Sequence, residues 1–82
     1  MSEPFLGEVS CFAFGYEPEG WAPCDGREMP IAQNQALYSL LGTTYGGDGE
    51  TSFMLPKIAP LDAQGATLNW RIATLGRYPP RS

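Results

Sequence analysis

The chain has 82 residues, enough for one domain that buries about 60–65% of the surface its unfolded form exposes. Hydrophobic residues make up 43% and aromatic residues 12%, which excludes a disordered chain, while 10 Gly and 8 Pro point to short elements joined by many turns. A net charge of -4, a pI near 4.4 and five basic residues exclude the electrostatic footprint of a nucleic-acid binder and disfavour anionic membranes, and no apolar run approaches the ~20 residues of a membrane span.

The first five residues, Met1-Ser2-Glu3-Pro4-Phe5, have neither a basic nor an apolar leader region. No secretory signal is expected, and synthesis in the cytoplasm is. Residues 6–14 read as a strand with Phe12 and Phe14 on one face and Val9, Cys11 and Ala13 on the other. Apolar residues on both faces predict burial on both sides. Residues 15–20 form a turn region. Residues 21–29 read as a hairpin about the Asp25-Gly26 turn, with Pro23 confining its strand to an edge or a bulge. A helix is predicted over residues 33–41, with Ala36, Leu37, Leu40 and Leu41 as its apolar stripe and Gly42 as its left-handed C-cap. Pro30 keeps it from starting earlier, and Asn34 is the nearer N-cap candidate because Ala32 cannot cap. Residues 42–52 form a glycine-rich loop, residues 53–55 a short strand closed by Pro56, and residues 57–65 an irregular stretch. The last strand spans residues 67–75. Leu68, Trp70 and Ile72 point one way and Asn69 and Arg71 the other. The architecture is α+β: one helix packed on a few short strands with a long glycine-rich loop.

The residue types restrict the chemistry. There is no histidine, which removes the commonest general base and metal ligand. Two cysteines, Cys11 and Cys24, make neither a zinc site nor a disulfide scaffold. Two reduced, buried thiols are the default, and a disulfide between neighbouring strands is the alternative in an oxidising compartment. The glycine-rich loop follows a helix and lacks the Gly-Lys-Ser/Thr ending of a phosphate loop. Asp48 and Glu50 are too few for a dedicated calcium site, and a loop tip is a poor place for a glycosidase pair. Catalytic residues, metal ligands and cofactors are therefore not expected. Among the aromatic residues that could build a sugar platform, Tyr45 is the best candidate for an exposed contact, and core or subunit-interface packing is expected for the rest, Tyr16, Trp21, Tyr38, Trp70 and Tyr78.

The order of the segments carries a resemblance. Pro4-Phe5-Leu6-Gly7-Glu8 opens the chain, and residues 20–26, Gly-Trp-Ala-Pro-Cys-Asp-Gly, follow. Then come Pro30-Ile31-Ala32-Gln33-Asn34-Gln35-Ala36-Leu37-Tyr38-Ser39-Leu40-Leu41-Gly42-Thr43-Thr44-Tyr45-Gly46-Gly47-Asp48-Gly49 and Thr51-Ser52-Phe53-Met54-Leu55-Pro56. Over residues 4–56 this strongly resembles the phage tail-collar domain, also found in microcystin-dependent proteins of bacteria. The closing Asn69-Trp70-Arg71-Ile72-Ala73 and the tail from Gly76 resemble short members of that group. The chain departs from the pattern at Ala32, where a capping Ser is usual. Lys57-Ile58-Ala59-Pro60-Leu61 also replaces a common Asp-Leu-Arg-Gly-Arg continuation, which puts receptor binding by a larger C-terminal region in doubt.

The resemblance implies a structural role without catalytic residues. The expected function is a self-assembling subunit of a phage-tail-like particle, tail fibre or extracellular filament, located in the virion tail or fibre after assembly. The expected partner is the chain itself, as a homotrimer or polymer, with other tail proteins or surface glycans as further candidates and without nucleic acid or membrane insertion. Leu6, Phe12, Trp21, Leu40, Leu41, Phe53, Leu55, Trp70 and Ile72 are the expected core or interface residues. The alternative is a monomeric adhesin that binds glycans through the 43–50 loop, with Tyr45, Asp48 and Glu50 as its contacts.

Overall fold

The structure, a computed structural model, describes residues 3–13 and 15–80. Among them, strands β1 (Val9–Phe12), β2 (Trp21–Pro23) and β3 (Glu28–Pro30) precede a 3-10 turn (Ile31–Gln33) and helix α1 (Gln35–Leu41). Strands β4 (Ser52–Met54), β5 (Leu61–Ala63) and β6 (Ala66–Ala73) follow. One helix and several antiparallel strands make an α+β arrangement, as expected.

The sheet is organised by β6, the longest strand. β1 pairs antiparallel with one edge of it, in the register Val9 opposite Ile72 and Phe12 opposite Asn69. β2 pairs antiparallel with it too, Ala22 opposite Ile72. β5 folds back onto the start of β6 through a two-residue turn, Gln64-Gly65, in which both residues have positive φ. β3 and β4 form a separate antiparallel pair. The core lies between the two sheets and α1. Leu6, Ala22, Cys24, Leu37, Phe53, Leu55 and Ile72 are buried there, with Tyr38, Leu40, Leu41 and Trp70 packed around them.

Several expectations are corrected. Residues 21–29 are not a hairpin. The Asp25-Gly26 corner carries the chain from one sheet to the other, because β2 finds its partner in β6 and β3 finds its partner in β4. Residues 57–65 are not wholly irregular, since β5 lies within them. β1 is shorter than residues 6–14 and is not buried on both sides: Val9 and Cys11 are exposed while Phe12 is half-buried. Phe14 lies outside the described residues. Ala36 is exposed, and Tyr38 replaces it on the buried side of α1. Asn34 does occupy the N-cap position, but its side chain bonds the Pro30 carbonyl at 2.9 Å instead of capping. Gly42 ends the helix with a positive φ, +57°, but its ψ of -144° is not the left-handed cap expected; its N–H bonds the Tyr38 carbonyl.

The cysteines are not a buried pair either. Cys24 is buried and Cys11 is exposed, and both are free thiols. Cys11 lies opposite Trp70 on the β1 side of β6, while the Cys24 N–H bonds the Trp70 carbonyl from the β2 side. Two strand spacings, about 9–10 Å, separate them, whereas a disulfide needs Cα atoms about 4.4–6.8 Å apart.

The second face of β6 is the largest surprise. Arg71, on the face opposite Leu68, Trp70 and Ile72 as expected, is 2% exposed. Its guanidinium sits 5.3 Å from the centre of the Phe12 ring, which meets Trp21 edge-on at 5.0 Å. Glu17 lies 3.6 Å from its Nη2. Phe12 at the end of β1 and Glu17 before β2 thus cover this cation on the back of the sheet with an aromatic ring and a carboxylate.

Candidate functional site

The 43–50 loop is built around one carboxylate. Asp48 Oδ1 accepts the backbone N–H groups of Glu50, Thr51 and Ser52 at 2.8, 2.9 and 3.0 Å, and Oδ2 accepts the Thr51 hydroxyl at 2.9 Å. These donors hold the Asp48 carboxyl well below the usual carboxylate range. Tyr38 donates to the Gly49 carbonyl at 3.2 Å and ties the loop to α1. The Gly49 N–H bonds the Ser52 carbonyl, and the Met54 N–H bonds that of Gly46. Gly47, at a φ of +100°, has no room for a side chain, since a Cβ there would overlap Phe53 Cα and lie 2.7 Å from the Ser52 oxygen.

This geometry divides the three residues expected to contact a ligand. Asp48 has its oxygens turned into the loop, where they set its shape. Glu50 is exposed. Tyr45 is 49% exposed and is the one aromatic ring the loop presents outward. The loop is therefore a rigid scaffold carrying one aromatic ring, and its glycines serve close backbone approach, with the Gly47 contact as the clearest case.

Sequence reasoning missed a groove walled by residues outside that loop. Its volume is about 500 Å³, and Pro23, Cys24, Asp25, Lys57, Ile58, Pro60 and Trp70 are among its walls. Burial pushes the Cys24 thiol up, and the charge of Asp25 adds to this. Asp25 is itself held by Arg27, with guanidinium contacts of 3.1 and 3.0 Å, which lower its carboxyl from the usual range. A thiol held protonated is a poor nucleophile, and an ion-paired carboxylate with a lowered pKa is a poor proton acceptor. No cluster of three or more acidic or cysteine side chains among the described residues is placed to hold a metal ion, and no described helix is long and apolar enough to cross a membrane.

The expected core or interface residues separate by depth. Leu6, Phe53, Leu55 and Ile72 are buried. Leu40, Leu41 and Trp70 are half-buried around the core, and Phe12 and Trp21 pack on the back of the sheet. The apolar surface left open lies elsewhere, at Phe5, Val9, Tyr16, Tyr45, Leu61, Leu75 and Tyr78, so the Tyr16 and Tyr78 rings are not part of the core. The two ends of the chain are laced together nearby. The Leu6 N–H bonds the Arg77 carbonyl at 2.7 Å, the Arg77 N–H bonds that of Pro4 at 2.9 Å, and Tyr78 shares a 2.7 Å hydrogen bond with Ser39 of α1.

The comparison with protein families agrees with the order of the segments. A family model, the Phage Tail Collar Domain, matches residues 7–60, from the start of β1 through the glycine-rich loop to the wall of the groove. No curated protein and no solved structure matches the chain. The matched stretch is about two thirds of the sequence and contains every element from β1 to β4. The chain belongs to the phage tail collar domain family, a family of structural phage proteins.

Proposed function

We propose that this protein is a homo-oligomeric structural subunit of a phage-tail-like particle, a tail fibre or an extracellular filament. The observation that carries this reading is the imbalance between core and surface. Phe53, Leu37, Leu55 and Ile72 are the large side chains fully buried among the described residues, while Leu75 is 64% and Leu61 50% exposed. A core of that size supplies about 3–5 kcal/mol at most. Open apolar side chains around so small a core are what a subunit interface would cover. Light scattering on a sizing column, with negative-stain microscopy, tests the reading. A trimer, ring or filament is expected, and a monomer at millimolar concentration overturns it.

The second reading is a glycan-binding module. It is favoured by Tyr45, an exposed ring on a loop that Asp48 holds rigid. Binding on a glycan array that Tyr45→Ala abolishes would support it. Background signal from both monomeric and assembled protein would exclude it.

A further inference from the structure

The strand edges of this fold are treated unequally. A free edge presents backbone N–H and C=O groups to any strand that approaches, and proteins blunt such edges with proline, charge, short length or a covering loop. The outward positions of β2 are Trp21 and Pro23. Proline has no N–H, and the Trp21 N–H already bonds the Pro18 carbonyl at 3.2 Å. The outward positions of β3 are Glu28, an exposed charge, and Pro30. β4 is covered by the glycine-rich loop, whose Gly46 and Gly49 bond Met54 and Ser52. β5 follows Pro60 and turns the charged Asp62 outward.

β1, four residues long, carries no proline and no charged side chain at its outward positions, Val9 and Cys11. The Ala73 N–H bonds the Glu8 carbonyl, so by alternation Ser10 and Phe12 direct their backbone groups at β6. Those of Val9 and Cys11 point away from the sheet, where no described strand lies. Their side chains share a face with Ile72 and Trp70 of the core, yet both residues are exposed, Val9 at 37%. The core face therefore runs to the rim of β1 and stops uncovered.

We infer that β1 is a strand-addition edge whose occupant is β1 of a second copy, antiparallel, with the two-fold axis at Ser10. This rests on the reading of the chain as self-assembling and names one of its surfaces: the pairing closes a dimer, which needs a second, different contact to grow into a ring or filament. With Ser10 facing Ser10 of the second copy, Val9 meets the second copy's Cys11, and Cys11 meets its Val9. Each such pair exchanges two backbone hydrogen bonds, about four in all. The same register joins the exposed Val9 and Cys11 side chains of both copies into one apolar strip beside Ile72 and Trp70. It places Glu8 opposite Phe12, so the two Glu8 carboxylates stand about 14 Å apart along the strands. That exceeds the screening length of about 8 Å at physiological salt, so the two Glu8 carboxylates are largely screened from each other. The pairing is self-complementary, as a two-fold interface requires.

Three variants test it, read by light scattering with near-ultraviolet circular dichroism as the check on folding. Cys11→Pro removes an outward N–H and no bond to β6. Val9→Lys places a charge on the rim and tests the edge should the proline disturb the strand. Each is expected to weaken self-association at least tenfold with the fold retained. Val9→Cys sets a thiol opposite the second copy's Cys11, at a Cα separation of about 5.5 Å that a disulfide can span. Mild oxidation is expected to give a covalent dimer, which Val9→Cys combined with Cys11→Ser does not form. Wild-type assembly that survives both edge variants, with no cross-link from Val9→Cys, overturns the β1 edge and leaves self-assembly standing. A wild-type trimer overturns the two-fold β1 edge and leaves self-assembly standing, and a wild-type protein that is monomeric throughout overturns both.

Discussion

At the scale of single residues, Asp48 and Arg71 show two ways in which a charge serves the fold. Asp48 is exposed, and its carboxylate draws three backbone N–H groups and a hydroxyl into one loop. Its carboxyl is held below the ordinary value of about 3.9, so its contribution to stability is complete above about pH 5 and is lost as the pH falls below that ordinary value. Asp48→Asn keeps an acceptor oxygen and removes the titration. The variant is expected to melt below the wild type at pH 7, and the difference is expected to shrink between about pH 5 and pH 2. A difference that stays constant across that range would show that the charge does not organise the loop. The loop itself was legible in the sequence, because glycines clustered after a helix are a local signal. The use of Asp48 as its centre was less so, since an acidic residue in a loop reads equally well as solvated. Arg71 was not legible at all. Alternation along β6 assigns it to a polar face, and the Phe12 ring and Glu17 that cover it arrive from a distant part of the chain.

At the scale of elements, the sequence revealed what each segment is more reliably than what it pairs with. The helix was read within two residues of its start, and its end at Leu41 was marked by Gly42, because the apolar spacing and the cap are properties of neighbouring positions. The Asp25-Gly26 corner was read as a hairpin because it satisfies the local requirement for positive φ, and Gly26 does have a φ of +82°. What local sequence does not encode is that β6 binds β2 more favourably than β3 could. The true hairpin, β5 to β6, turns on Gln64-Gly65, and it was missed because Gln is a poor resident of the left-handed region. This gives a test of the turn. Gln64 has a φ of +48°, a conformation that Asn adopts more readily and a β-branched residue resists. Gln64→Asn is expected to stabilise by about 0.5 kcal/mol and raise Tm by roughly 2–4 °C, while Gln64→Val is expected to cost about 1 kcal/mol or more and lower it by at least 4 °C. A neutral Gln64→Val in thermal melts would mean that the turn is not held in this conformation.

At the scale of the whole molecule, the family stretch and the sheet do not coincide. Residues 7–60 carry the family match, but β6, the strand that joins β1 to β2, lies at 66–73. The part of the chain that identifies it therefore closes its sheet only with a strand from outside that part. The burial at stake is modest, and the net stability of one such domain is a small remainder between large opposing quantities. If subunits associate, mass action adds to that remainder. At a free subunit concentration of a hundred times Kd, the contribution is about 2.7 kcal/mol. For a chain of this length 1 kcal/mol moves Tm by about 4–8 °C, so raising the concentration from near Kd to a hundred times Kd is expected to raise Tm on the order of 10 °C. Differential scanning calorimetry over a concentration series reads this directly. The rise is expected to shrink in Val9→Lys, because the same folded chain would then lack its partner. A Tm that stays flat for the wild type would show that four large buried side chains and their half-buried neighbours are sufficient alone. In that case the exposed Leu75, Leu61 and Val9 would have to be explained by a different protein.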